Sequence, residues 1–229
     1  MKILVTESQY KKLLKEEEKE QKILRVPRLG FFNENEWEAW KILQKVLEAR
    51  GNPPYTIDGD SDLKNTPIKS LGNLTSVGGY LDLRDTPIKS LGNLQSVDSW
   101  LDLRDTPIES LGNLHSVGGW LALENTRIVS LGNLTSVGGS LGLRGTPIKS
   151  FGNLESVGGD LWLYDTPIES LKNLKSVGGS LILRNTPIES LGNLTSVGGD
   201  LRLFGTPLSR KYTEEEIRQI VDVGGDIIL

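Results

Sequence analysis

The sequence predicts an α/β solenoid: a stack of near-identical coils, each adding one strand to a parallel sheet of about nine, with a helix closing either end. Three observations predict it. The segment "YLDLRDTPIKSLGNLQSV" from Tyr80 recurs as "WLDLRDTPIESLGNLHSV" from Trp100, and the period of 20 holds without insertion from about Asp60 to Thr206. Within one unit, L-x-L-x-x-T-P-I-x-S-L-G-N-L-x-S-V-G-G-x, apolar residues first alternate and then recur at every third position. Alternation marks a strand, and the remainder is an irregular return path. So short a coil holds too few apolar side chains to form a core alone, and it must stack on its neighbours.

The elements follow in order. Residues 1–30 read as an N-terminal arm, with a helix predicted over "TESQYKKLLKEEEKEQ" that places Tyr10, Leu13 and Leu14 on one side. Residues 31–56 hold a capping helix, "NENEWEAWKILQKVLEARG", with Trp37, Trp40, Leu43 and Leu47 on one stripe. Asn33 or Asn35 serves as its N-cap and Gly51 stops it. Residues 57–208 are the solenoid, opening on the degenerate strand "IDGDSDL". Gly78-Gly79 and its copies are expected to supply positive φ before each strand, with Asp98-Ser99 as the one replacement. Proline after each threonine fixes φ where the strand ends, Arg127 excepted. The recurring asparagines (Asn73, Asn93, Asn113, Asn133, Asn153, Asn173, Asn193) are expected to be buried and to tie down loop backbone. Residues 209–229 hold a second capping helix, with Thr213 and Glu216 at capping-box spacing. The closing "VGGDIIL" repeats the start of a strand, which should point Ile227 and Leu229 inward as the ninth.

The unit "LDLRDTPIKSLGNLQSV" resembles the leucine-rich-repeat pattern LxLxxNxLxxLxxL, with Thr86 where that family usually carries asparagine. The resemblance spans about residues 57–229 and implies a horseshoe or arc, strands on the concave face, loops or short helical turns on the convex one. The hydroxyls of Thr66, Thr86, Thr106, Thr126, Thr146, Thr166, Thr186 and Thr206 are then expected to bond backbone within the turn in place of the asparagine. A parallel β-helix is the alternative architecture, since it too stacks coils of this length. The opening "MKILVTESQYKKLL" and the ending "KYTEEEIRQIVDVGGDIIL" resemble the ends of proteins encoded by tailed phages of aquatic bacteria, which implies a viral origin and a place in the host cytoplasm or the virion.

Composition bounds the function. The 229 residues suffice for one large domain or two small ones, and a net charge of −4 supplies no field to recruit nucleic acid or an anionic membrane. Cysteine is absent, which removes disulfides, thiolate nucleophiles and thiolate metal sites and fits a reducing compartment. The first apolar run is only "ILV", too short for a signal peptide, and no segment approaches the roughly 20 apolar residues of a membrane span. A soluble, cytoplasmic chain is expected, a monomer rather than an oligomer.

Columns that vary between coils carry the functional reading. The two leucines of each strand face inward, so their neighbours face outward. Stacking at about 4.8 Å per strand puts Tyr80, Trp100 and Trp120 in one row. Trp162, Tyr164, Ile182 and Phe204 form a second group, with Ala122, Gly142 and Gly145 as a small-residue floor between. Asp82 and Asp102 stand beside Arg84 and Arg104, and Arg144 and Arg184 extend the basic column. The lone histidine, His115, has no serine or cysteine partner, so no catalytic set assembles. Asp62, Asp82 and Asp102 could attract calcium, but Lys64, Arg84 and Arg104 beside them oppose it. The glycine-rich turns lack the lysine of a phosphate loop.

The expectation is a non-enzymatic binding module without cofactor or metal. A protein ligand would lie across the concave strands, anchored by Tyr80, Trp100, Trp120, Trp162 and Tyr164, with the four arginines and Asp82 and Asp102 giving polar specificity. Nucleic-acid binding is the alternative, because arginine with stacked aromatics suits single strands, although the acidic balance opposes it. A virion-associated spacer without ligand is the third.

Overall fold

The computed structural model describes residues 23–31 and 33–229, so the helix predicted over residues 6–21 lies outside the described residues. The protein is a parallel-strand β-solenoid with little helix, an architecture also compatible with a parallel β-helix. Residue i pairs with residue i+20, as in Leu121↔Leu141 and Val137↔Val157. Coils are joined by bonds such as Leu123 N–H to Gly142 O at 2.9 Å and Gly138 N–H to Val117 O at 2.8 Å. The six apolar residues of a coil, for example Leu121, Leu123, Ile128, Leu131, Leu134 and Val137, all point inward and are at most 1 % exposed.

Among the described residues the leucine strands form a nine-stranded sheet, from Ser61–Asp62 to Ile227–Ile228, as expected. A second sheet of ten strands was not expected. It consists of the seven Ser-Val steps, preceded by Leu24–Val26 and Tyr55–Ile57 and followed by Asp222–Val223. Two residues of alternation are too few to read as a strand from sequence. Leu24–Val26 falls within the segment expected to stand apart as an arm, yet it pairs with Tyr55–Ile57 and forms the outermost strand.

Glycine acts differently from the expectation. The Gly-Gly doublets do not take positive φ. They stack backbone on backbone, and a Cβ at Gly138 would overlap the carbonyl of Gly118. Where Asp98-Ser99 replaces the doublet, the ladder opens: Ser99 N–H reaches Gly79 O at 3.2 Å, against 2.9 Å for Gly139 to Gly119. Positive φ falls instead on the glycine of the Gly-Asn step (Gly132, φ 58°) and on the residue before each threonine. That second column holds only Asn, Asp or Gly, as in Asp105 (φ 59°), Asn125 (φ 59°) and Gly145 (φ 70°), the types that tolerate this region.

The threonines behave as predicted. Thr106 Oγ1 donates to Leu103 O at 2.6 Å, and the other seven make the same bond. The asparagines are not buried. They lie at or near the surface and form only part of a ladder: Asn73 Nδ2 to Asn52 O at 2.7 Å, Asn93 Nδ2 to Asn73 Oδ1 at 3.1 Å. Arg127, in place of proline, has an N–H that bonds Ile108 O at 3.1 Å.

Helix α1 (Glu36–Glu48) covers the first coil. Asn35 is its N-cap, accepting from Glu38 N–H, and Ala39, Trp40, Leu43 and Leu47 are buried, with Trp37 at the margin. Gly51 takes φ 78° just beyond it. Glu36 accepts a hydrogen bond from the N–H of Asp62, which lies on the outermost strand of the nine-stranded sheet. That blunts an edge otherwise open to pairing, and burial raises the Glu36 carboxyl above its ordinary value. Burial also pushes up the Tyr55 phenol, which donates to Leu71 O at 2.8 Å.

At the other end, Ser196 pairs with Asp222 and Leu201 with Ile227. Six additional residues enter this coil only in the return path, as α2 (Leu208–Lys211) and α3 (Glu214–Ile220). The predicted capping box of Thr213 and Glu216 is present. Arg218 clips α3 to the final turn through Val223 O at 2.8 Å and Gly225 O at 3.0 Å. Ile227 is buried as expected, but Leu229 is 37 % exposed.

Two glycine substitutions separate these roles. Gly132→Ala, in open space at positive φ, should cost about 1–2 kcal/mol. Gly138→Ala must push coils apart and should cost more than about 3 kcal/mol. Urea denaturation of both variants checks this, and equal losses would contradict the backbone-stacking account.

Candidate binding face

Leu101 and Leu103 are fully buried, so Trp100 and Arg104 face outward from the nine-stranded sheet, half-buried. In-register pairing carries this from coil to coil. Tyr80 and Trp100 stack at 4.2 Å between ring centroids and 1° between planes, Trp100 and Trp120 at 4.8 Å and 4°. Each aromatic contact contributes about 0.5–1.5 kcal/mol beyond area burial.

Their column has a structural job elsewhere. Asp60 Oδ1 accepts from Tyr80 N–H at 3.0 Å, Asp160 Oδ1 from Ser180 N–H at 2.7 Å, and Ser140 Oγ from Asp160 N–H at 3.0 Å. Asp and Ser thus tie one coil to the next. Tyr80, Trp100 and Trp120 cannot accept in this way, so three consecutive coils forgo that bond to carry rings. Burial and then the carboxylates of Asp60 and Asp62 raise the Tyr80 phenol.

Asp82 and Asp102 do not offer free carboxylates. They are 2 % and 1 % exposed, beneath Arg84 and Arg104. Arg84 donates Nε to Asp82 Oδ1 at 3.0 Å and Nη2 to Oδ2 at 2.6 Å, and its Nε lies 3.2 Å from Asp102 Oδ2. Arg104 holds Asp102 in the same way, at 3.0 and 2.6 Å. Each aspartate also accepts from the backbone N–H of its arginine. The bonded carboxylates raise both guanidiniums above their ordinary value. These aspartates are struts of the sheet surface, their carboxylates covered by the arginines beside them.

Arg144 and Arg184 are exposed and form no ion pair among the described residues. Arg144 lies over the Tyr164 ring at 5.4 Å. Trp162 and Tyr164 are half-buried, and Phe204 is 60 % exposed. Trp120 and Trp162 stand on either side of a cavity of about 360 Å³. Glu124 lines that cavity, and only the break it makes in a basic column marked it in the sequence. A larger depression, about 600 Å³, runs along the ten-stranded sheet, lined by the same Ser, Val and Gly coil after coil, with Asp98 and Asp222 as the only acids in its lining.

Among the described residues no three His, Asp or Glu side chains converge as a metal site, and no helix is long and apolar enough to cross a membrane. No family model matches the chain, and no curated protein or solved structure matches it.

The strut role predicts unequal costs for two carboxylate deletions. Asp102→Ala should destabilise by about 2 kcal/mol, because it strands the Arg104 guanidinium and removes a second contact from Arg84. Glu155→Ala should stay within about 0.5 kcal/mol, since the Glu155–Lys175 pair is more than half exposed on both sides. Thermal or urea unfolding of the two variants gives the comparison.

Proposed function

We propose that this chain is a non-enzymatic recognition solenoid of the leucine-rich-repeat kind, which binds a protein partner across the outer face of its nine-stranded sheet. The stacked row Tyr80–Trp100–Trp120 carries the reading. It offers aromatic edges held parallel before any ligand arrives, so little side-chain entropy remains to be lost on binding. Tryptophan, tyrosine and arginine are also the residue types that dominate protein interfaces. Trp162, Tyr164, Arg144 and Arg184 extend the surface past the row.

A protein fits better than a nucleic acid. Arg84 and Arg104 already spend their charge on buried aspartates, and the chain is acidic overall. Little is left to displace counterions from a phosphate backbone. The terminal segments that resemble phage proteins support a virus-encoded chain acting in the host cytoplasm or the virion.

Trp100→Ala and Trp120→Ala should each weaken a partner retained by the intact chain by at least about 2 kcal/mol. Calorimetric titration measures this, with circular dichroism showing the coil intact. Unchanged affinity in both variants would refute the placement. Retardation of DNA or RNA that falls steeply with salt would replace protein with nucleic acid.

A further inference from the structure

The aromatic row ends at Trp120. On the next strand but one, Trp162 stands in the register of Gly142, and between the indoles the column that carried Asp82 and Asp102 shrinks to Ala122 and Gly142. The missing side chains open the 360 Å³ cavity. Glu124 occupies a column in which Lys64, Arg84, Arg104 and Arg144 are all cations. Its carboxylate lies across Gly142, where a Cβ would overlap Oε1, so the glycine is what admits it.

This carboxylate forms no ion pair among the described residues, and Arg104, which also lines the cavity, acts on it only from a distance. Oε2 is shielded from solvent and accepts no hydrogen bond, and no cation lies within ion-pair distance among the described residues. The flanking arginines are occupied: Arg104 holds Asp102, and Arg144 covers Tyr164. A shielded carboxylate oxygen without a partner is costly, and a turn of the Glu124 side chain toward a donor in the cavity would relieve that. The walls suit the same visitor, since indole faces attract cations and stack well on a planar guanidinium.

We propose that the cavity between Trp120 and Trp162 is a cation pocket in which Glu124 receives the guanidinium or ammonium head of a basic side chain on the partner polypeptide. The inference rests on the protein-binding reading of the face. A chain lying along the Tyr80–Trp100–Trp120 row would deliver its next side chain at this point.

The test titrates the full chain with Nα-acetyl-arginine amide, its lysine counterpart and the neutral citrulline analogue, following the indole N–H resonances by NMR. The arginine or lysine probe should shift the Trp120 and Trp162 signals saturably, and citrulline should not. Glu124→Gln, nearly isosteric, should keep the urea midpoint and weaken the cationic probe at least tenfold. Equal binding of citrulline, or a Glu124→Gln effect within twofold, overturns the pocket. A partner that is lost with Trp100→Ala but indifferent to Glu124→Gln also overturns it, while leaving the protein-binding face in place. If the cationic probe binds through Glu124 while the partner ignores both variants, the delivery by a polypeptide falls.

Discussion

One constraint governs the molecule: residue i must pair, parallel and in register, with residue i+20. The hydrogen-bond ladder fixes the coil spacing at about 4.8 Å, and every column must stack on itself at that distance. Inside, leucine over leucine meets the condition by burying apolar surface on both sides. At the Gly-Gly turns backbone lies on backbone and a Cβ would overlap the carbonyl of the coil below; where Asp98-Ser99 carries side chains instead, the ladder is loosened. At the end of each leucine strand, a threonine hydroxyl satisfies the carbonyl of the second leucine. The final coil shows how strict the pairing is. It takes six additional residues wholly into its return path and keeps both strands in register.

The same constraint shapes the surface. Stacking like on like favours flat rings, which explains why three aromatic residues in one column lie within 4° of parallel. It is unfavourable for like charges, and Asp82 over Asp102 would repel. Each coil therefore supplies its own arginine two residues on, and Arg84 leans across to the next aspartate as well. The pairs make adjacent coils locally neutral, so the aspartates can sit almost without solvent access. A surface that reads from sequence as a row of alternating charges is, in physical terms, a sealed layer beside an aromatic strip.

Much of this was legible because a repeat reports its own constraints. Columns that never change are those that stacking needs, and the inward leucines, the threonine bonds and the nine leucine strands all follow from that. What escaped was local in a different sense. The Ser-Val strand is only two residues long, below what periodicity can register. The glycine doublets were assigned a conformational reason when the operative one is the carbonyl of the coil below, a contact across 20 residues that no local rule contains. The column before the threonines holds only Asn, Asp or Gly, which signals positive φ, yet its Gly145 entered the expectation only as part of a small-residue floor. For the site, the facing direction of Trp100 and Arg104 followed from the leucines between them. The burial of Asp102 did not, because it depends on how an arginine folds back.

Departures from the repeat, then, separate recognition from architecture, and they are unevenly spread. The coil from Trp120 to Gly139 holds the last ring of the aromatic row, an alanine in place of aspartate, a glutamate in place of a cation, arginine in place of proline and an exposed Val129. Other coils depart as well, at Asp98-Ser99, Phe151, Trp162, Tyr164 and Lys172. Those at Ala122 and Glu124, beside Gly142, end the neutral aspartate–arginine layer at the point where the aromatic row stops. The unpaired Glu124 carboxylate stands at that joint. A ligand that covered only the rings would gain nothing from it, whereas one that also carried a cation would be held in a single register along the sheet.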